Sequence, residues 1–530
     1  MSLRVLLAVA VVAVLFLFPV TLTRAGDRTD GSRGQSYVAA VYEHRVILNP
    51  APHVPLSRAA ALKHMMSNLD VYEEQAARAA EQGAQIIVFP EDGLQGFNFS
   101  RLSISAYLET IPDPQSEDWN PCTQTDRHTH TEVLQRLSCM AQRHSLYLVA
   151  NMADLHPCPQ TSHPPCPPDG RWQFNTDVVF RSDGSLAARY HKHNLYFENA
   201  FDAPPRLEVV AFDTPFAGRF GVLTCFDIMF HDPTVRLLEQ GIRQMVYPTA
   251  WMNQLPLLSA VQFQRAFSLG ANTTLLAANI RADSLGMTGS GIFTPGTAVY
   301  HHARAGQPEE GRLLVLRIPV LDTDWLGTEK RAKGLGTEKR AKGQARGEGE
   351  ESQHCQEESL SASPPTLSPT PSTSPFLFTS SMMYDPFSFV LLRGSEGQLT
   401  VCDGPFCCHL QYRRSPQGDN TELYALGAFS GTHTVNGRYG VQVCALVRCL
   451  GSEVSSCGQE VEEAESRVDF LLEGKFGTRH VYPSLLGSGM VLEQPDQVKT
   501  TADGRVAMKH SGMTVGLVTA CLYGRVYDQD

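Results

Sequence analysis

Residues 326–343 spell LGTEKRAKG twice in immediate succession, and a Gly/Glu-rich run and then a Ser/Thr/Pro-rich run follow them. Such a stretch has too few apolar side chains to bury a core. Residues 326–380 therefore read as a linker, its basic repeat a solvated charge run and its Ser/Thr/Pro half a place for O-glycosylation or proteolysis. The chain must then fold on either side of it, and 530 residues leave enough length for two sizeable cores. With 42% hydrophobic residues the composition is globular, and a net charge of −11 argues against a nucleic-acid-binding surface.

The N-terminus sets the compartment. Arg4 precedes an uninterrupted apolar stretch, 5–18, and Pro19 and small residues up to Gly26 follow. That order reads as a secretory signal peptide, 1–25, and it is shorter than the ~20 apolar residues a membrane-spanning helix needs. No hydrophobic tail of the lipid-anchor type closes the sequence, so a soluble, secreted protein is expected. Thirteen cysteines in an exported chain point to disulfides. Four fall together (Cys122, Cys139, Cys158, Cys166) and six more cluster late (Cys402, Cys407, Cys408, Cys444, Cys449, Cys457). Six cysteines allow 15 pairings, so connectivity stays open. Zinc is the weaker reading, because no C-x-x-C pair occurs. Cys225, Cys355 and Cys521 are left over, and an odd total leaves at least one free thiol.

Between residues 26 and 325, short β-rich runs alternate with amphipathic helical stretches, the signature of an α/β domain. Ser57 is a candidate N-cap ahead of Leu62, Met65, Met66, Leu69, Val71, Tyr72, Ala76 and Ala79 at helical spacing. Strands are expected at 86–89, 146–150, 177–181, 186–190, 219–224, 244–247 and 274–279, and a helix from Asp232-Pro233 to Gly241. Residues 381–530 show short alternating runs between Gly-rich turns, a β-rich, disulfide-stapled accessory domain.

Three of the expected strands each deliver one ionisable side chain at the C-terminal end: Glu91, Lys192 and Cys225. In α/β sheets ligands bind outside those ends, so a carboxylate, an ammonium and a thiol can converge there. The set suits amide hydrolysis, with Cys225 as nucleophile, Glu91 as general base and acid, and Lys192 facing the oxyanion. The backbone N–H after Cys225 is a candidate second oxyanion donor. Taken singly, each residue has an ordinary structural role; the coincidence of three strand ends carries the inference. His128-Thr129-His130 lacks a third metal ligand and reads as an exposed loop.

The segments Val88-Phe89-Pro90-Glu91-Asp92-Gly93, Tyr190-His191-Lys192-His193-Asn194 and Leu223-Thr224-Cys225-Phe226-Asp227 resemble the Glu, Lys and Cys motifs of the nitrilase superfamily. Trp119-Asn120-Pro121-Cys122, Met287-Thr288-Gly289-Ser290-Gly291 and Cys407-Cys408-His409-Leu410 extend the resemblance to its biotinidase and vanin (pantetheinase) branch. The resemblance implies an αββα four-layer sandwich with the C-terminal β domain beside it, and no metal or organic cofactor. It also implies that Glu198 is a supporting glutamate which positions lysine and substrate. Phe212-Asp213-Thr214-Pro215-Phe216 and Asn253-Gln254-Leu255-Pro256 look more like the biotinidase side, which implies release of biotin from biocytin and short biotinyl peptides. Pantetheine hydrolysis, and biotin binding or biotinyl transfer, remain as alternatives. A monomer with a small-molecule substrate is expected. Asn98 and Asn272 head N-x-[S/T] sequons, candidate glycosylation sites in an exported chain.

Overall fold

A computed structural model describes residues 35–159, 161, 163–304, 306–321, 376–415 and 422–530. The expected signal peptide, the tandem repeat and Cys355 lie outside the described residues.

The N-terminal part is built on β1 (Ser36–Arg45), α1 (Arg58–Glu81), β2 (Ile86–Val88), α2 (Glu132–His144), β3 (Tyr147–Pro157), β4 (Arg171–Phe180) and β5 (Leu186–His191). It continues through β6 (Ala211–Thr214), β7 (Gly218–Val222), α3 (Arg236–Glu239), β8 (Gln244–Thr249), α4 (Ala260–Ala271) and β9 (Thr274–Arg281). The strand order is β5-β4-β3-β2-β1-β9-β8-β7-β6. β1 and β9 pair only at His44 with Ile280 and Arg45 with Arg281, so the order falls into two half-sheets joined at that corner. They face each other across an apolar layer that includes Tyr37, Val41, Ile86 and Val149 from one and Phe212, Val222, Val246 and Leu276 from the other. α1 and α2 cover the outside of the first half, and α3 and α4 the outside of the second. This is the four-layer αββα sandwich.

Ser57 does cap α1, its hydroxyl accepting from the Ala60 N–H at 3.3 Å. The helix buries Ala61, Met65, Leu69, Tyr72, Ala76 and Ala79, a stripe at spacings of three and four, while Leu62, Met66 and Val71 lie at its half-buried margin. The expected strands are found with shifted ends: β4 starts at Arg171 rather than 177, and β8 and β9 each run two residues further. β3 runs on to Pro157 because its continuation pairs with β4 throughout. β7 stops at Val222, two residues before the expected 224, because Thr224 caps the turn that follows. The helix expected from Asp232 is broken: a wide turn, His231–Val235, precedes the single turn of α3, and Asp232 keeps an extended conformation.

The C-terminal part is two antiparallel sheets packed face to face, of seven and five strands. Leu377–Met382 is an edge strand of the larger sheet, so ordered structure begins inside the stretch read as linker. Phe378 anchors it, stacking on Phe389 of the neighbouring strand at 5.6 Å between ring centres. The late cysteines pair as Cys402–Cys407, Cys408–Cys444 and Cys449–Cys457, and the early four as Cys122–Cys139 and Cys158–Cys166. Cys408–Cys444 joins the two sheets, its partners lying on Phe406–Arg414 of one and Tyr439–Arg448 of the other. Cys521 is a buried free thiol. The two parts share one apolar core, in which Phe226, Phe263 and Phe267 meet Tyr439, Tyr482 and Tyr523.

Candidate active site

Glu91 follows β2, Lys192 follows β5 and Cys225 follows β7, and the structure brings all three to one cleft, about 820 Å³ counted to its open mouth, which Glu198, Tyr196, Ala250 and Met252 also line. Each is almost wholly withdrawn from solvent: Glu91 1%, Lys192 1% and Cys225 6% exposed. Burying an ammonium is costly unless it is paired. Here Lys192 Nζ donates to Glu91 Oε1 at 2.6 Å on one side and to Glu198 Oε1 on the other. Burial pulls against the Lys192 charge, and Glu198 and Glu91 outweigh it, holding the lysine well above its ordinary pKa. The ammonium is a fixed cation.

Asn175, on β4, is a functional residue that sequence reasoning missed. Its Nδ2 donates to Glu91 Oε1 at 2.8 Å and to Glu198 Oε2 at 2.7 Å, spanning the two carboxylates that grip Lys192. Its own amide oxygen accepts from Asn151 Nδ2 at 2.6 Å, which fixes the amide's sense. Arg171 and Gln173 are also polar positions of this strand, so no local pattern singled Asn175 out. The second oxygen of Glu91 accepts the Ala250 N–H at 2.9 Å, so both carboxylate oxygens are oriented. The Tyr196 N–H does the same for Glu198 at 3.1 Å.

Cys225 sits at φ 45°, a left-handed conformation rare for a residue with a side chain, at the sharp exit from β7. Its turn, Cys225–Met229, is held by a reciprocal cap between Thr224 and Asp227, and Asp227 is anchored by the Tyr190 hydroxyl at 2.7 Å. Thr224 Oγ1 in turn donates to Asp177 Oδ2 at 2.7 Å. Burial above all, with the nearby Glu91 charge, pushes the thiol far above its ordinary pKa, and the Lys192 charge only partly offsets this. These surroundings favour the neutral thiol over the thiolate.

Behind Lys192 lies a group no sequence motif announced. Asp154 Oδ2 accepts from His156 Nε2 at 2.8 Å and His191 Nε2 at 2.9 Å, and His191 Nδ1 meets Glu208 at 2.9 Å. Among the described residues Asp154, His156 and His191 could together hold a metal ion, their ligand atoms lying within 4.8 Å of one another. Arg189 Nη1 lies 3.4 Å from His156 Nε2, however, so a cation already occupies that side. His128 is held to Glu117 at 2.8 Å in its loop, and His130 is exposed. Of the two sequons, Asn98 is exposed and lies on the rim of the active-site cleft, whereas Asn272 is the half-buried C-cap of α4. No helix of the described residues is long and apolar enough to cross a membrane.

The sequence matches the carbon-nitrogen hydrolase family over residues 52–285 and the vanin C-terminal domain over residues 376–530. It is 64% identical to a biotinidase of Takifugu rubripes, covering 97% of this chain and 98% of that one. It is 48% identical to a biotinidase of Bos taurus, covering 97% and 96%, and 43% identical to a pantetheinase of Sus scrofa, covering 93% and 90%. The chain is a carbon-nitrogen hydrolase, an amidohydrolase of the nitrilase superfamily, and belongs to its biotinidase and pantetheinase branch.

Proposed function

We propose that this chain is a secreted hydrolase of biotin amides, releasing biotin from biocytin and short biotinyl peptides through a Cys225 thioester. The observation that carries the chemistry is the clamp of Lys192 between Glu91 and Glu198 in the cleft that holds the buried Cys225 side chain. Cys225 Sγ attacks the amide carbonyl carbon as Glu91 takes the thiol proton. The carbonyl oxygen becomes an oxyanion, and Lys192 is the cation placed to meet it. Collapse of the intermediate breaks the C–N bond, and Glu91 returns the proton to the departing amine. A water molecule, deprotonated by the same carboxylate, then attacks the thioester and frees biotin and the thiol. Glu198 and Asn175 position Lys192 and Glu91.

The substrate class rests on relatives: those named biotinidase are more similar than those named pantetheinase, at 64% and 48% against 43%. Secretion is supported by the apolar N-terminal run in the sequence and the five disulfides. The test is kcat/KM for biocytin and for pantetheine in parallel, with Cys225→Ser as control. The expected result is a large preference for biocytin, with the variant folded and inactive. A preference for pantetheine would move the chain to the other substrate, and turnover retained by Cys225→Ser would remove the nucleophile.

A further inference from the structure

Two clefts meet at Cys225. The one described above contains Glu91, Lys192 and Glu198. A second, of about 470 Å³ counted to its open mouth, shares Tyr196, Cys225, Ala250 and Met252 with it but contains none of those three charged groups. An amide bound across the thiol must place one half on each side. The departing amine receives its proton from Glu91, so the amine half belongs in the charged cleft. The acyl half then extends into the second.

That second cleft is built by both parts of the chain. Phe226, Met229, Trp251 and Leu258 come from the sandwich, and His433, Val435, Asn436 and Tyr439 from the hairpin joining two central strands of the C-terminal sheet. The hairpin is shaped for close approach: Asn436 and Gly437 both have positive φ, 59° and 135°, and a Cβ on Gly437 would stand 2.8 Å from the Phe226 ring. His433 Nδ1 is held to Asp385 at 2.8 Å, and Asn436 and Tyr196 line the same cleft. Arg525 ties the two sides together, its buried guanidinium 4.8 Å from the Tyr439 ring centre and its Nε donating to the Met229 carbonyl at 2.7 Å.

We propose that the hairpin tip, residues 433–439, forms the wall of the acyl subsite, so that the C-terminal domain selects the acid half of the substrate. Aromatic and aliphatic walls take an apolar acyl chain, and the amides of Asn436 and Gln254 offer the donor and acceptor that a cyclic urea at its far end requires. The subsite follows from the geometry; the identity of its occupant rests on the function proposed above.

The test compares anilides that share one leaving group and differ in acyl part: acetyl, hexanoyl and biotinyl. Val435→Trp, which narrows the cleft without touching the charged groups, is expected to lower the biotinyl-to-acetyl ratio of kcat/KM by about 10–200-fold. A ratio unchanged within about twofold in the folded variant overturns the proposal. If Val435→Trp does not fold, Asn436→Gly, which suits the positive φ, carries the test: a fall in the biotinyl-to-hexanoyl ratio supports the wall and an unchanged ratio overturns it. If the wild type disfavours biotinyl substrates while Val435→Trp still penalises long acyl chains over acetyl, the biotin assignment fails and the subsite stands.

Discussion

Glu91→Gln separates two ways in which the thiol could be activated. The Glu91 carboxylate is among the causes that push the Cys225 pKa up, after burial, so its removal makes the thiol intrinsically easier to ionise. If Lys192 alone prepared a thiolate, the variant would acylate as fast as the wild type or faster. If Glu91 accepts the proton during attack, acylation falls by the worth of a general base, about 10²–10⁴-fold or roughly 3–5 kcal/mol in the barrier. Stability responds differently. Both Glu91 oxygens are acceptors, from Lys192 at 2.6 Å, Asn175 at 2.8 Å and the Ala250 N–H at 2.9 Å, so a glutamine must turn its NH₂ towards at least one donor. That mismatch costs about 1–3 kcal/mol, which an intact domain tolerates. The assay is single-turnover acylation by biocytin, followed as thioester by intact mass, beside a thermal melt. Acylation by a folded Glu91→Gln variant at or above the wild-type rate would refute the reasoning.

Two more predictions use residues outside the motif set. Asn175→Ala removes a donor shared by Glu91 and Glu198, and a charge-assisted hydrogen bond is worth about 1.5–3 kcal/mol, so kcat should fall about 10–100-fold with a smaller change in KM. An unchanged kcat would show that Lys192 and the Ala250 and Tyr196 N–H groups orient the carboxylates without Asn175. For Asp154, burial pushes the pKa up, but hydrogen bonds from His156 and His191 win and hold it at about 2, against 3.8 unfolded. The depressed value stabilises the fold by about 2 kcal/mol above pH ~4, and this is lost as pH falls through about 2. Burial likewise lowers His191, but Asp154 and Glu208 raise it overall, so that side of the same interaction is full below the ordinary histidine range and is lost as pH rises through the elevated folded value. Asp154→Asn should therefore lose about that amount at pH 6 in denaturant titrations and converge with the wild type towards pH 2; a constant gap across pH would refute the linkage.

What the sequence made legible was what local pattern controls. β2, β5 and β7 are short runs of strand-forming residues, and Glu91, Lys192 and Cys225 each lie within three residues of a strand end, so the three could be read as converging on one rim before any geometry was known. Residues that act from mid-strand were not legible. Asn175 alternates into a core face where nothing in one sequence distinguishes a buried amide that satisfies two carboxylates from one that faces solvent. The disulfides show the same limit: adjacent Cys407 and Cys408 point to opposite faces of one strand and so take different partners, Cys402 across the hairpin and Cys444 on the other sheet. The contact between Phe226 and Gly437 joins segments on either side of the linker, and no periodicity in either predicts it.

The pairing of one lysine with two glutamates explains how a buried site can move charge cheaply. At rest the trio of Glu91, Glu198 and Lys192 carries a net charge of −1 with the thiol neutral. In the proposed reaction Glu91 becomes neutral as it takes the thiol proton, and the same unit of negative charge reappears on the carbonyl oxygen. The net charge of the cleft does not change, so little reorganisation of a low-dielectric surrounding is required. With a single glutamate, Lys192 would have only the developing oxyanion as its partner while Glu91 is neutral, and burial disfavours a weakly paired ammonium. Glu198 does not need to change protonation at all. It holds Lys192 charged through the step in which Glu91 cannot, which is why the same Asn175 amide that orients the base also fixes the second carboxylate.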